Sequence, residues 1–283
     1  MATIYTVHPD TPQVRSIKQI GDALQDGAVM LYPTDTVYAI GCDLNVKSAV
    51  ERVRRIKQFS NDKPLTFLCP SLSDVGTYAR VSDTAYRTMK HLIPGPYTFL
   101  LPATKLVPRL VQNPKRKTTG IRVPKHTVCS ALLTALGNPI ISTSAHLPQG
   151  NACGSSGTAD KGEGCGDGFP VPFKSRVGAT DPNRLDSRAQ AQYSAGGSSG
   201  GTKSAQAQDE IDTIAVETEM NISRVELFDR LDKLVDVIVD NGEEPRATVS
   251  TIVDLIGDEP IIVRRGLGWE EVGSRRELRE LRE

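Results

Sequence analysis

The stretch AVMLYPTDT (residues 28–36) decides how the rest of the chain is interpreted. Its apolar run, residues 28–32, ends at Pro33 and is followed by three polar residues. A short apolar run that ends at a proline predicts a buried strand followed by a turn. The hydroxyls and backbone amides of Thr34, Asp35 and Thr36 could bind a ligand, or Asp35 could simply bond its own backbone in the turn. We predict that the loop 32–36 forms one wall of a small, polar, anion-accepting site.

On both sides of this stretch, short apolar runs alternate with segments whose apolar residues recur at helical spacing. Strands are predicted at residues 3–8, 28–32, 65–69, 97–101, 119–123, 139–142, 235–239, 248–255 and 260–263. Helices are predicted at residues 13–24, 47–58, 82–92, 127–136 and 224–234. Ser82 is the expected N-cap of the third helix, and Gly137 ends the fourth. Alternating strands and helices predict an α/β sheet rather than segregated layers.

This alternation stops between residues 149 and 220, which are rich in Gly, Ser, Ala, Asp and Gln. Such a segment has too few large apolar residues to offset the entropy of ordering it. We therefore predict a low-complexity, disordered insertion at 149–220. Residues 1–148 and 221–268 are expected to pack together as one domain, and 269–283 to form an exposed terminal helix.

The overall composition excludes several classes of protein. Lys plus Arg equals Asp plus Glu at 34 each, so the net charge predicts no partner. Five cysteines without a CxxC spacing indicate neither a disulfide framework nor a zinc site. No signal-peptide pattern and no apolar run of about 20 residues is found, so a cytoplasmic protein is expected. Residues 105–125 carry seven cations and no acidic residue, which predicts a basic patch or a solvated loop.

Polar side chains also stand near the ends of other predicted strands. They are Lys57 and Lys63 before the strand 65–69, Ser142 and Ser144 at the end of 139–142, Arg122 within 119–123, Thr251 within 248–255, and Arg264 directly after 260–263. A cation in a buried strand is costly unless it faces an anion or a carboxylate. Ligands bind beyond the strand ends in open α/β sheets. Because the chain has neither a Walker loop nor GxGxxG, these residues predict an anion or nucleotide site and nothing more specific.

Six motifs nevertheless occur in the order of a known family. They are YPTDTVYAIGC (32–42), the segment 57–65, PGPYT (94–98), IRVP (121–124), STSA (142–145) and VRRG (263–266). Together they resemble the YrdC family. The resemblance implies a YrdC/RibB-like fold, a twisted mixed sheet with flanking helices and a concave basic face. Family members are threonylcarbamoyl-AMP synthases, nucleotidyltransferases that convert L-threonine, bicarbonate and ATP to threonylcarbamoyl-AMP and pyrophosphate for the threonylcarbamoyladenosine modification of tRNA.

The resemblance also implies roles for individual residues. Thr34 would contact threonine, and Arg122, Ser142 and Thr251 would line the space between the two substrates. The nucleotide would be bound by Lys57, Lys63, Thr118, Ser144 and Arg264. ATP would arrive with Mg²⁺ bridging its phosphates, and no protein-bound metal site or covalent nucleophile is expected.

Two positions depart from the family pattern. The family's Lys-x-Arg is here Lys57-Gln58-Phe59, and its Ser-x-Asn is Ser144-Ala145-His146. Phenylalanine cannot donate to a phosphate, and losing a charge-assisted hydrogen bond costs about 1.5–3 kcal/mol. At both positions, the sequence is similar to that of the YciO branch of the family.

Three functions therefore stay open. The first is a threonylcarbamoyl-AMP synthase, with weak or altered activity included. The second is a YciO-type paralogue that binds nucleotide or double-stranded RNA without synthesis, since duplex binding needs cations more than base-reading groups. The third is hydrolysis of an adenylate with His146 as general base.

Overall fold

The computed structural model describes residues 1–57, 65–113, 115–146, 222–257 and 259–273. Within these ranges, ten strands form a single sheet. The strands are β1 (Thr3–Thr6), β2 (Met30–Tyr32), β3 (Ala39–Asp43), β4 (Thr66–Leu68), β5 (Tyr97–Pro102), β6 (Thr118–Arg122), β7 (Ile140–Ser144), β8 (Val237–Asp240), β9 (Thr251–Asp254) and β10 (Ile261–Arg264). Their order across the sheet is β1-β8-β2-β3-β7-β4-β6-β5-β9-β10.

Helices flank this sheet, as the alternation of the sequence predicts. They are α1 (Val14–Gln25), α2 (Lys47–Ile56), α3 (Leu72–Tyr78), α4 (Asp83–Leu92), α5 (Thr127–Leu136), α6 (Arg224–Leu231) and α7 (Trp269–Gly273). The Ser82 hydroxyl accepts a hydrogen bond from the Ala85 amide, and Gly137 ends α5 with a φ of 74°. Among the described residues, no helix is long and apolar enough to cross a membrane.

The sheet is mixed, which confirms the predicted fold class. Strands β1, β8 and β2 run parallel to one another, whereas β3 is antiparallel to both β2 and β7. Strand β8 lies between β1 and β2, and β9 pairs with β5. The strands that follow the predicted insertion therefore belong to the same sheet as those that precede it.

Two apolar clusters cover the two faces of the sheet. One face packs against α2, α3, α4 and α6 through side chains such as Val53, Val75 and Met89. The other face packs against α1 and α5 through side chains such as Ile20 and Leu132. The second cluster includes residues of β1, β2, β3, β4, β7 and β8, and the polar site lies on the same face beyond it.

Three sequence predictions concern residues at or beyond the edge of the described chain. The insertion at 149–220 lies outside the described residues. The terminal helix begins at Trp269 as expected, but its first turn is not wholly exposed, since Val272 is completely buried. The rest of the predicted helix, residues 274–283, also lies outside them.

Candidate functional site

The register of the central strands places a row of small polar residues on one face. Leu68 and Ile140 pair with each other and belong to the cluster under α1 and α5. Side chains alternate between the faces of a strand, so residues two positions away share this face. Thr66 pairs with both Ser142 and Gly120 there. A Cβ on Gly120 would lie 3.1 Å from the Thr66 hydroxyl, which confirms that they are neighbours.

The same row contains four of the residues that the resemblance implies. Arg122 pairs with Leu68, and Thr118 lies four residues before Arg122 on the same strand. Ser144 lies two residues after Ser142. By alternation, all four side chains project from the face that Thr66 occupies. We call the surface formed by Thr66, Thr98, Thr118, Arg122, Ser142 and Ser144 the hydroxyl face.

Arg122 joins this face to the loop 32–36. Its guanidinium donates to Asp35 Oδ1 at 2.6 Å and to the Thr36 hydroxyl at 2.9 Å. The Lys125 amide donates to the other Asp35 oxygen at 3.1 Å. Both side chains of the ion pair are only 9% exposed. Arg122 Nε is buried and has no hydrogen-bond partner among the described residues, so one charged donor is left unsatisfied there.

The hydroxyl of Thr34 organises the loop from inside. It donates to the Val37 carbonyl at 2.7 Å and accepts from the Thr36 amide at 3.1 Å. The alternative considered above, a turn closed by Asp35 on its own backbone, is not what forms, because the Asp35 carboxylate contacts Arg122 and Lys125. The contact between Thr34 and threonine stays a prediction.

Ser142 is oriented by a buried tyrosine. The Tyr32 hydroxyl donates to Ser142 Oγ at 2.7 Å. Burial raises the pKa of Tyr32 well above its ordinary value, so this tyrosine stays a neutral donor. Because Ser142 accepts that hydrogen bond, its own proton is available to an acceptor on the hydroxyl face.

Arg264 reaches this face through Ser250. Its guanidinium donates to the Ser250 carbonyl at 3.0 Å and 3.2 Å and to the Ser250 hydroxyl at 3.2 Å. The Ser250 hydroxyl lies 3.0 Å from that of Thr98. Thr98 Cγ2 would lie 3.5 Å from a Cβ on Gly120, so Thr98 faces the site. Thr98 was not predicted as a site residue, although its place between apolar Tyr97 and Phe99 is the alternation that marks such a residue.

Thr251 lies apart from this group. It pairs with Tyr97, which belongs to the cluster on the opposite face of the sheet. Its hydroxyl donates to the Leu267 carbonyl at 2.9 Å and accepts from the Gly266 amide at 3.1 Å. Thr251 therefore holds the loop after β10, and the structure does not bring it to the hydroxyl face.

Lys57 and His146, which lie in the two segments that depart from the family pattern, contact each other. Lys57 is buried just after α2, and its ammonium group donates to the backbone carbonyl of His146. His146 itself is half-buried at the end of β7. Lys63 and Phe59 lie outside the described residues, so their predicted roles stay predictions.

Two other residues at the loop were missed by the sequence analysis. Arg246 donates to the Asp35 carbonyl at 3.3 Å. Burial lowers the pKa of His126, and the nearby charge of Asp35 acts in the opposite direction. Neither residue lies in an apolar segment that would have marked it as a candidate site residue. Arg246 is also far from the loop 32–36 along the chain.

The buried thiols and the metal-ligand side chains do not indicate other chemistry. Burial raises the pKa of Cys42 to about 12, and it raises that of Cys129, which donates to the Pro33 carbonyl. Such thiols are poor nucleophiles near neutral pH. In the described part of the chain, no group of three or more His, Cys, Asp or Glu residues could hold a metal ion.

Comparison with known proteins identifies similar proteins of one family. The Sua5/YciO/YrdC family model, described as Telomere recombination, matches residues 22–162. YciO of Escherichia coli (strain K12) is 34% identical over 95% of this chain and 97% of its own length. Its crystal structure superposes with a TM-score of 0.66, at 32% identity and with 95% and 97% of the two chains covered.

More distant matches include proteins with a named activity or ligand. A threonylcarbamoyl-AMP synthase of Vibrio vulnificus (strain YJ016) is 32% identical over 50% of this chain and 76% of its own length. The crystal structure of P. abyssi Sua5 in complex with L-threonine gives a TM-score of 0.66 at 20% identity, covering 96% of this chain and 60% of that one. At this identity, the second match shows the fold alone.

Proposed function

Because this chain belongs to the Sua5/YciO/YrdC family, we propose that its hydroxyl face binds ATP and L-threonine and carries out a threonylcarbamoyl-AMP synthase reaction with bicarbonate. The observation that carries the proposal is Arg122, a buried guanidinium held by Asp35 and Thr36, whose Nε has no partner among the described residues. A fixed cation of this kind recognises a carboxylate or a phosphate without reorganising.

The remaining residues of the face suit the two substrates. Hydroxyls at Thr118, Ser142 and Ser144 can donate to anionic oxygens, and Arg264 adds a second cation at the other side of the face. Acyl-adenylate formation needs two reactants held together and a triphosphate neutralised, which a rigid polar face supplies without a covalent nucleophile. Mg²⁺ would enter with ATP, bound to phosphate oxygens.

The product would supply the threonylcarbamoyl group for tRNA modification. ATP, bicarbonate, threonine and tRNA are all present in the cytoplasm, where we place the reaction. The name of the Vibrio vulnificus relative, a threonylcarbamoyl-AMP synthase, supports this choice of substrates.

A second candidate is a YciO-type protein that binds nucleotide, or double-stranded RNA, without synthesis. It is favoured by the two departures, Phe59 and His146, and by the near full-length similarity to YciO. In the structure, the ammonium group of Lys57 is engaged by the backbone of His146. A lysine held in this way has to exchange that carbonyl for a phosphate oxygen before it can bind a nucleotide.

Pyrophosphate release from ATP, measured with and without L-threonine in the presence of bicarbonate and Mg²⁺, separates the two candidates. We expect threonine-dependent release. Thr118→Val should lower kcat/KM for ATP by about tenfold or more, because a hydrogen bond to a charged group is lost. The matched control is Thr119→Val on the opposite face, where the hydroxyl is buried without a partner among the described residues. This control should leave the rate unchanged.

If release does not depend on threonine, the synthase proposal fails. Calorimetric binding of ATP by the same preparation would then support the second candidate, and so would release gained by Phe59→Arg with His146→Asn. Absence of both release and ATP binding would contradict both candidates.

A further inference from the structure

A second basic site lies away from the hydroxyl face. It is a cavity of about 600 Å³. Its charged lining consists of Arg80, Lys105, Arg109 and Lys117, and its apolar lining includes Ala103 and Val107. None of the described residues in the lining is acidic. The volume is in the range of sites that hold small molecules.

The position of this cavity separates it from the proposed substrate site. Ala103 and Val107 pack with the apolar cluster on the α2, α3 and α4 side of the sheet, whereas the hydroxyl face lies on the α1 and α5 side. Lys117 directly precedes β6, and Arg122 is the last residue of that strand. The four residue steps of β6 from Thr118 to Arg122 alone span about 13 Å.

No described acidic side chain pairs with the four cations of the cavity. Among the residues that the structure describes, none of the four belongs to an ion pair. All four side chains are exposed to solvent at the cavity. Like charges that share a cavity repel one another, and their field attracts anions.

The backbone that carries these cations is fixed by hydrogen bonds. The Arg80 amide donates to the Pro102 carbonyl at 2.8 Å, and the Ala103 amide donates to the Lys117 carbonyl at 2.9 Å. The Thr104 amide donates to the Tyr78 carbonyl at 3.0 Å. The backbone beneath the cavity is therefore fixed, which reduces the backbone entropy lost on binding.

Lys117 adds an independent sign of function. Its φ is 51°, in the left-handed region that glycine and asparagine adopt more easily than lysine does. The conformation is held by the Lys117 amide, which donates to the Asn113 carbonyl at 2.8 Å. Strained residues of this kind concentrate at functional sites. A lysine kept here, at a conformational cost, contributes a charge that glycine would lack.

We propose that this cavity binds closely spaced phosphate groups. Arginine takes phosphate oxygens in a bidentate manner and lysine binds them as a point charge, and the cavity offers two of each. The described lining has no aromatic residue, so we base recognition on phosphate rather than on stacking of a base. The phosphates could come from a compact polyphosphate ligand or from the backbone of an RNA strand, and the test distinguishes these sources.

The test measures the affinity of the full chain for inorganic tripolyphosphate by calorimetry, and for a 20-base-pair RNA duplex by filter binding across salt concentrations. The variants are Lys105→Glu with Arg109→Glu, and separately Lys117→Gly, which removes a charge while easing the backbone. The control is Arg15→Glu with Lys18→Glu on α1, which makes the same charge change elsewhere. Thermal unfolding of Lys117→Gly checks that the fold is kept.

We expect the double variant to weaken binding of at least one probe by more than tenfold, with the control unchanged. For RNA, each lost contact should also reduce the slope of log affinity against log salt by about one. A loss for tripolyphosphate identifies a compact ligand, and a loss for RNA alone identifies the phosphodiester backbone. Unchanged affinity for both probes, or an equal loss in the control, would overturn the proposal.

Discussion

Arg122 illustrates how a single charged residue can be kept inside a strand whose five residues are all buried. Removing a guanidinium from water costs several kcal/mol unless its charge and its donors are matched. Asp35 supplies the opposite charge and Thr36 a hydroxyl acceptor, and both belong to the loop after β2. The same contact therefore stabilises the charge and fixes the loop, so the geometry of the site depends on one side chain.

At the scale of single residues, the lowered pKa of His126 predicts that the stability of the protein depends on pH. Burial lowers its pKa from the ordinary value of 6.5, against the raising effects of Asp35 and Glu243 and together with the lowering effects of Arg246 and Arg122. The unfolded chain then binds a proton more readily than the folded one, so stability is lost as pH falls below 6.5.

Thermal unfolding between about pH 7.5 and pH 5.5 tests this effect. His126→Gln, which stays neutral, should show a smaller fall in Tm than the wild type. The control is His91→Gln, at an exposed position of α4, which should follow the wild type. An identical pH dependence in His126→Gln and the wild type would disprove the assignment.

At the scale of elements, the helices owe their positions to apolar stripes and their ends to local hydrogen bonds. Helix α4 buries Ala85, Met89 and Leu92 against the sheet. Its first turn is closed by the Ser82 hydroxyl, which accepts from the Ala85 amide at 3.2 Å. This bond satisfies one of the amides that a helix leaves unpaired at its start.

Ser82→Ala should therefore lower the free energy of unfolding by about 1 kcal/mol, measured by urea denaturation. The matched control is Ser130→Ala inside α5, where the serine hydroxyl donates to the His126 carbonyl. Alanine is the better helix former at an interior position, so this change should be neutral or slightly stabilising. Equal losses in the two variants would argue against the cap.

At the scale of the whole molecule, the strands that follow residue 222 complete a sheet that begins at the N-terminus. Strand β8 lies between β1 and β2, and Ile238 and Val239 are completely buried there. Asp236 also accepts from the Val29 amide at 2.8 Å, which links the two segments at the start of the strand. The apolar clusters on both faces contain residues of β8.

A fragment of residues 1–148 should therefore fail to unfold cooperatively, because it lacks three strands of the sheet. Co-expression with residues 222–283 should restore a cooperative transition, which circular dichroism during urea titration can follow. A separately expressed 1–148 fragment with the full-length midpoint would show that β8 to β10 are dispensable.

Much of this architecture could be predicted from local patterns. Runs such as residues 28–32 and 65–69, and the helical spacing at 47–58, depend on neighbouring residues alone, and so do the cap at Ser82 and the stop at Gly137. Two elements were missed. Strand β3 contains Gly41, and a glycine disfavours a strand when only the neighbouring residues are considered. The structure explains the glycine, because a Cβ at this position would lie 2.8 Å from the ring of Tyr32. Helix α3 has Gly76 at its centre and is only seven residues long.

What the sequence determined by itself was the class of fold, the extent of most elements and, through six motifs, the family. The tertiary structure decided which polar residues meet. Thr98 joined the hydroxyl face and Thr251 did not, because strand alternation and pairing set the direction of each side chain. The Arg122–Asp35 contact spans 87 residues of sequence. The cavity at Lys117 brings Arg80 to three cations of the basic stretch 105–125. Such contacts arise only when distant strands pair, so no local pattern records them.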